Sequence, residues 1–155
     1  MLRGLILILA LMPCTAQAQD APLVAEYWTD SGSLPPEYAW ATEVAIHADG
    51  QLLLKRCTGY ETEGPACKTR KAKVDSTALE AIQTAALASG LAENPAAQAE
   101  YPMVGGSVTG CAVHVGGVRI LLPSDPAKAD AARVATVLAA VRAAIPTRLN
   151  RFLAD

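Results

Sequence analysis

Two glycine turns, Asp49-Gly50 and Gly116-Gly117, most constrain what this chain can fold into. Each sits between short runs rich in Val, Ile, Leu and Thr, and each accepts the positive φ that a tight hairpin demands. Before the first turn, Trp40, Thr42, Val44 and Ile46 alternate with Ala41, Glu43, Ala45 and His47. That period of two is the mark of a half-buried strand. Gln51 to Cys57 is the return strand, and Lys68 to Val74, alternately charged, reads as a third and more exposed one. Val108 to Val115 and Val118 to Leu122 flank the second turn. Hairpins therefore dominate, and the sheet they build is antiparallel.

Two helices complete the pattern. Asp75 is a good N-cap for a helix whose Leu79, Ile82, Ala86 and Leu87 recur at helical spacing and whose natural stop is Gly90. Asp125 with Pro126 at the first position predicts the start of a second helix, with Val134, Val137, Leu138, Val141 and Ile145 as its apolar stripe and Pro146 as its end. Arg133 and Arg142 fall on its wet side, and Arg148 to Leu153 suits one more turn that docks Leu149, Phe152 and Leu153. The expected fold is α+β: an antiparallel sheet of about five strands, order β-β-β-α-β-β-α, with both helices on one face. Residues 92–107, with Pro95, Pro102 and Gly105-Gly106, read as a long loop.

The N-terminus reads as an export signal. Arg3 is followed by an apolar run from Leu5 to Met12, Pro13 breaks it, and Ala16-Gln17-Ala18 offers a small-x-small cleavage site. Cleavage after Ala18 would release a periplasmic or secreted protein. The apolar run is too short for a membrane span, which needs about 20 residues. Cys14 offers a lipid anchor as the less favoured alternative, because Pro13 is a poor residue before a lipidated cysteine. Residues 1–18 are thus set aside as signal peptide. Residues 19–39, broken by Ser31-Gly32-Ser33 and Pro35-Pro36, read as an irregular segment, and 40–155 as a single domain.

Three cysteines then remain: Cys57, Cys67 and Cys111. No CxxC spacing occurs, so a zinc ribbon or thioredoxin-type site has no support. In an oxidising compartment one disulfide and one spare thiol are expected. The glycine- and proline-bearing loop between Cys57 and Cys67 would bring those two together, leaving Cys111 as a buried strand cysteine.

Chemistry-bearing motifs are absent from the sequence: there is no GxSxG, HExxH, GxGxxG or phosphate loop. Cys111 and His114 are three apart in a strand and so face opposite ways, which disfavours a local dyad. No residue is assigned a catalytic role, and none a metal or cofactor; a thiol- or histidine-dependent enzyme is the disfavoured alternative. Lys55, Arg56, Lys68, Arg70, Lys71 and Lys73 form a basic cluster. It suits either an anionic partner or a solvated hairpin partly neutralised by Glu61 and Glu63. The net charge of −2 argues against nucleic acid.

Tyr27, Trp28, Tyr38 and Trp40 lie in or beside the irregular segment, and Tyr60 in the loop between the paired cysteines. They offer either an aromatic binding ledge or a strap over an open face of the domain. The favoured reading is a small exported non-enzymatic binding or accessory domain that meets an unidentified protein or small ligand through its loops. The order of elements from about 42 to 145, with turns at Asp49-Gly50 and Gly116-Gly117, resembles that of small exported bacterial proteins of unknown function. More loosely it resembles the emfourin-type inhibitors of metalloproteases. That resemblance implies a secreted protease inhibitor presenting its 57–67 loop to a protease cleft, and it carries over no functional residue.

Overall fold

A computed structural model of the chain describes residues 21–59, 66–102 and 105–153. The signal peptide, the cleavage site at Ala18, Cys14 and Tyr60 lie outside the described residues.

The sheet has six strands: β1 (Leu23–Asp30), β2 (Trp40–His47), β3 (Gln51–Thr58), β4 (Ala66–Lys73), β5 (Val108–Val115) and β6 (Val118–Leu122). Their order is β4-β3-β2-β1-β5-β6, and every neighbouring pair is antiparallel. The α+β class and the five expected strands are all present. The correction is β1. The segment expected to be irregular contributes the strand that joins the β2–β4 meander to the β5–β6 hairpin. Ala25, Tyr27 and Thr29 are buried, while Glu26, Trp28 and Asp30 alternate with them on the other face. The breakers Ser31-Gly32-Ser33 and Pro35-Pro36 act only after the strand has ended, in the connection to β2. That connection carries a short 3-10 turn at Pro36–Tyr38.

Both turn signals hold. Gly50 has φ 79°, and Asp49 Oδ1 accepts the Gln51 N–H at 2.9 Å. Gly116 and Gly117 have φ 58° and 81°, the pair of positive values a two-residue hairpin turn needs.

Helix α1 (Ser76–Ala88) starts as expected, with the Asp75 carboxylate accepting the Ala78 N–H at 2.8 Å. It stops at Gly90, whose φ is 63°. Ile82 and Ala86 are buried, whereas Leu87 is 65% exposed and no part of the core. Helix α2 (Ala131–Ala144) begins six residues after the Asp125 cap expected for it. The reason lies in the long loop. Ala99 donates its N–H to Asp125 O and Ala127 to Ala97 O, both at 2.8 Å, so Asp125 and Pro126 pair with residues 97–99 in an extended bridge. Asp130 then precedes the helix, and its carboxylate accepts the Ala97 N–H and pairs with Arg133. Arg133 also donates to Ser89 O and Asn94 O, tying α2 to the end of α1 instead of pointing freely into water.

Both helices cover one face of the sheet. Leu52, Leu54, Val44, Ile46, Tyr27, Cys111, Val113, Ile120 and Leu122 meet Ile82, Val134, Val137 and Val141 in one apolar core. A final 3-10 helix, Thr147–Phe152, seats Leu149 in that core, as the sequence implied. No described helix is long and apolar enough to cross a membrane.

Candidate functional site

Among the described residues no helix lies on the opposite face of the sheet, and strand register lays out its side chains in rows. One row runs Lys71, Leu53, Ala45, Glu26, Ala112, Leu121 across all six strands. The next runs Thr69, Lys55, Glu43, Trp28, Gly110. Leu53 and Leu121, at the two flanks, are 38% and 52% exposed. A shallow depression of about 480 Å³ lies between Trp28, Glu43, Ala45, Leu53, Lys55, Glu26 and Arg119.

Trp28 owes its position to Gly110. The two are direct partners between β1 and β5, and a Cβ on Gly110 would stand 2.3 Å from the indole Cε2 and 2.5 Å from Nε1. Gly110 has no positive φ, so the backbone would take any residue there. What the glycine supplies is room for the ring to lie on the sheet. An aromatic ring held flat loses little further freedom when a partner covers it.

Glu26 is the polar centre of the face. His114 Nε2 and Arg119 Nε both reach its Oε2 at 3.0 Å. The His114 hydrogen bond chiefly, with Arg119, holds the Glu26 carboxyl below the usual carboxylate range, against the opposing effect of partial burial. Glu26 therefore stays anionic and is a poor proton acceptor, which suits recognition more than proton transfer. Glu43 and Lys55, directly opposite on β2 and β3, add one charge of each sign. Among the described residues no three His, Cys, Asp or Glu side chains are grouped as a metal site requires.

The four described aromatics named from the sequence, Tyr27, Trp28, Tyr38 and Trp40, do not assemble into one ledge. Tyr27 faces the core at 3% exposure, and Trp40 is buried at the end of β2 with the Arg56 guanidinium 4.5 Å above its ring. Tyr38 is exposed in the 3-10 turn, and Trp28 alone of the described four lies on the uncovered face. Two sit under the helices or beside them because a strand sends consecutive side chains to opposite faces. Sequence reasoning missed Glu26, Arg119 and Gly110, and saw in His114 only a strand histidine. The available signal was the period of two in Glu26, Trp28 and Asp30, masked by the breakers that follow.

The cysteines stand as expected. Cys57 and Cys67 are direct partners on β3 and β4 and form a disulfide. Cys111 is free and fully buried, on the face opposite His114, and burial pushes its thiol up to about 12. A thiol so placed is inert as a nucleophile.

A scan against protein-family models finds no match, and no curated protein is significantly similar to this chain.

Proposed function

We propose that this is an exported, non-enzymatic binding domain whose uncovered sheet face docks onto a folded protein partner. One observation carries the reading: Trp28 is seated against Gly110 between exposed Leu53 and Leu121, on a face the described helices leave open. Breadth selects the partner class. Six strands at about 4.8 Å spacing make a platform roughly 24 Å wide, the scale of a protein interface and far wider than a small-molecule pocket. The composition fits as well: one aromatic anchor, aliphatic flanks, and charges of both signs paired or opposed at the centre. The address rests on the N-terminal signal pattern and is supported by the disulfide, which persists in oxidising compartments.

The test places a photo-crosslinking residue at Leu53 or Leu121, with Leu87 on α1 as a control. Affinity of the crosslinked protein for wild type and for Leu53→Glu/Leu121→Glu is then measured with purified components. The reading requires crosslinks at the sheet positions only and a loss of about a hundredfold or more in affinity for the double variant, the scale of removing interface anchors. Equal crosslinking at Leu87, or unchanged affinity, would sink it.

Protease inhibition is a sharper form of the same reading, supported by the disulfide that closes the base of the 57–67 loop. A panel of metallo- and serine proteases left fully active by excess protein would remove it.

A further inference from the structure

The two edges of the sheet differ in what protects them. β4 carries Lys68, Arg70, Lys71 and Lys73 within its 8 residues, the kind of charge that keeps a foreign strand from pairing. β6 reads Val-Arg-Ile-Leu-Leu, and its one cation, Arg119, already touches Glu26. Val118 and Leu121 are 48% and 52% exposed. Hairpin geometry sets which backbone groups β6 offers. Gly116 and Gly117 close a two-residue turn, so Val115 and Val118 exchange both hydrogen bonds, as do the pairs Val113–Ile120 and Cys111–Leu122. The N–H and C=O of Arg119 and Leu121 therefore point away from β5, and no described backbone group bonds them.

A wall runs beside that edge. Leu91, Ala92, Pro95, Ala96 and Gln98 face β6 across a groove of about 380 Å³, within the size range of ligand sites. The wall is held from elsewhere. Asn94 O accepts from Arg133, Ala97 donates to the Asp130 carboxylate, Ala97 O accepts the Ala127 N–H, and Ala99 donates to Asp125 O. None of these bonds reaches β6, so the segment flanks the edge without satisfying it. Leu91 is fully buried, and Ala92 and Ala96 pack against the core, so the wall stands before any ligand arrives. Outward donors and acceptors beside a preformed apolar wall are what an added strand requires: the backbone bonds hold it, and the wall selects its side chains.

We propose that this groove takes an extended peptide segment of a partner protein, laid antiparallel to β6 as one more strand of the sheet. The peptide residues opposite Leu121 and Arg119 exchange both backbone bonds with them and lie on the uncovered face. The residue between them points to the wall, beside Val118 and Ile120. Charge complementarity orders the side chains. Arg119 meets Glu26 through Nε, Glu26 is shared with His114, and the Arg119 side chain is 50% exposed. An acidic residue therefore belongs opposite Arg119, and apolar residues belong opposite Leu121 and in the groove. In chain direction the motif is apolar-apolar-acidic. A second copy of the chain is the poorer occupant. Two-fold pairing of two β6 strands keeps both helix layers on one side of the joined sheet and sets the two 91–98 walls against each other, whereas a lone peptide brings no wall. The site needs only the edge backbone and its wall, so it stands or falls separately from docking on the uncovered face.

The test titrates the isotope-labelled exported protein with the end-capped peptide Thr-Val-Leu-Glu-Thr and follows amide shifts and hydrogen exchange by NMR. In the free protein the Arg119 and Leu121 amides should exchange fast and those of Val118, Ile120 and Leu122 slowly. The peptide should slow the first two and give saturable shifts confined to β6 and residues 91–98. A methyl on the peptide's valine nitrogen, which donates to Leu121 O, should weaken binding at least about tenfold. The same methyl on its leucine nitrogen, which turns away from β6, should cost far less, and lysine in place of its glutamate should weaken binding. Leu121→Pro removes an outward N–H that β5 does not use, at an edge position where proline is tolerated. Val118→Glu puts a repelling charge in the groove. Each should weaken the peptide at least about tenfold, the scale of one lost hydrogen bond plus a clash. Leu121→Thr, which keeps the N–H, should lose less, and Leu87→Ser on α1 nothing. Should Leu121→Pro fail to fold by circular dichroism, Val118→Glu and the methylated peptides carry the test. Absence of saturable shifts, equal binding of the two methylated peptides, or a folded Val118→Glu protein that binds as wild type does would overturn the proposal. Concentration-dependent protection of Arg119 and Leu121 without peptide would also overturn it, assigning the edge to a second copy.

Discussion

Gly110→Ala is the sharpest perturbation of the uncovered face, because it adds one methyl and changes no charge. The new Cβ would meet Trp28 Cε2 at 2.3 Å and Cζ2 at 2.4 Å, whereas carbon atoms settle at about 3.5–4.0 Å. The sheet lies beneath the indole, so the ring can only lift toward solvent. Forcing extra volume into a packed contact costs about 1–3 kcal/mol. Backbone strain contributes nothing, since Gly110 is in ordinary extended conformation; a strand alanine is if anything preferred to glycine there. The assay is urea unfolding followed by fluorescence in a Trp40→Phe background, where Trp28 is the sole reporter. Expected are a red-shifted native emission and a loss of about 1–3 kcal/mol. A double-mutant cycle decides the cause. In a Trp28→Ala chain, Gly110→Ala should cost nothing or stabilise slightly, giving a coupling energy of at least about 1 kcal/mol. This arm is read by circular dichroism. Equal costs with and without the indole would refute the argument that glycine is there to seat the tryptophan.

Three further outcomes follow from the same geometry. Replacing Cys57 and Cys67 by serine opens a loop of sequence separation 10 and should cost about 2.7 kcal/mol in the chain-entropy model, read as a lower denaturant midpoint. Thiol titration of the native protein should find Cys111 silent and one thiol only after unfolding, because the group is buried and its pKa is about 12; a fast native reaction would reopen the thiol-enzyme reading. Glu26 has a folded pKa below its unfolded one, so its stabilisation is present above the unfolded value of about 4.3 and is lost as pH falls through the folded value. Glu26→Gln should therefore flatten the acid limb of the stability profile and leave its shape at neutral pH unchanged; an identical acid limb would contradict the His114 and Arg119 contacts.

Much of this was legible along the chain because it depends on neighbours. Hairpins at Asp49-Gly50 and Gly116-Gly117 need only a residue that tolerates positive φ, and the Asp75 cap needs only a carboxylate three residues before a free N–H. The Cys57–Cys67 pairing was readable because a short loop brings its own ends together. Errors arose where a distant segment competed for the same backbone groups. Asp125 and Pro126 look like a helix start, but residues 97–99 take their hydrogen bonds first. The Leu79-Leu87 stripe is wide enough for a helix buried more deeply than α1, yet Ile82 and Ala86 are buried and Leu79 half-buried against the core while Leu87 is left exposed.

Local pattern by itself determined the antiparallel hairpins, the two helices, the disulfide and the aromatic-rich start of the domain. It did not determine which strand would lie between the two hairpin units, and that placement creates the functional surface. β1 has no turn linking it to a neighbour within a few residues; it joins the sheet by hydrogen bonds to β2 and to β5, the latter about eighty residues away in sequence. Once it is there, the alternation of side chains forces Tyr27 inward and Trp28 outward. The same register brings His114 and Arg119 to Glu26 and sets Trp28 on Gly110. None of these partners is a sequence neighbour, so only tertiary pairing could bring them together.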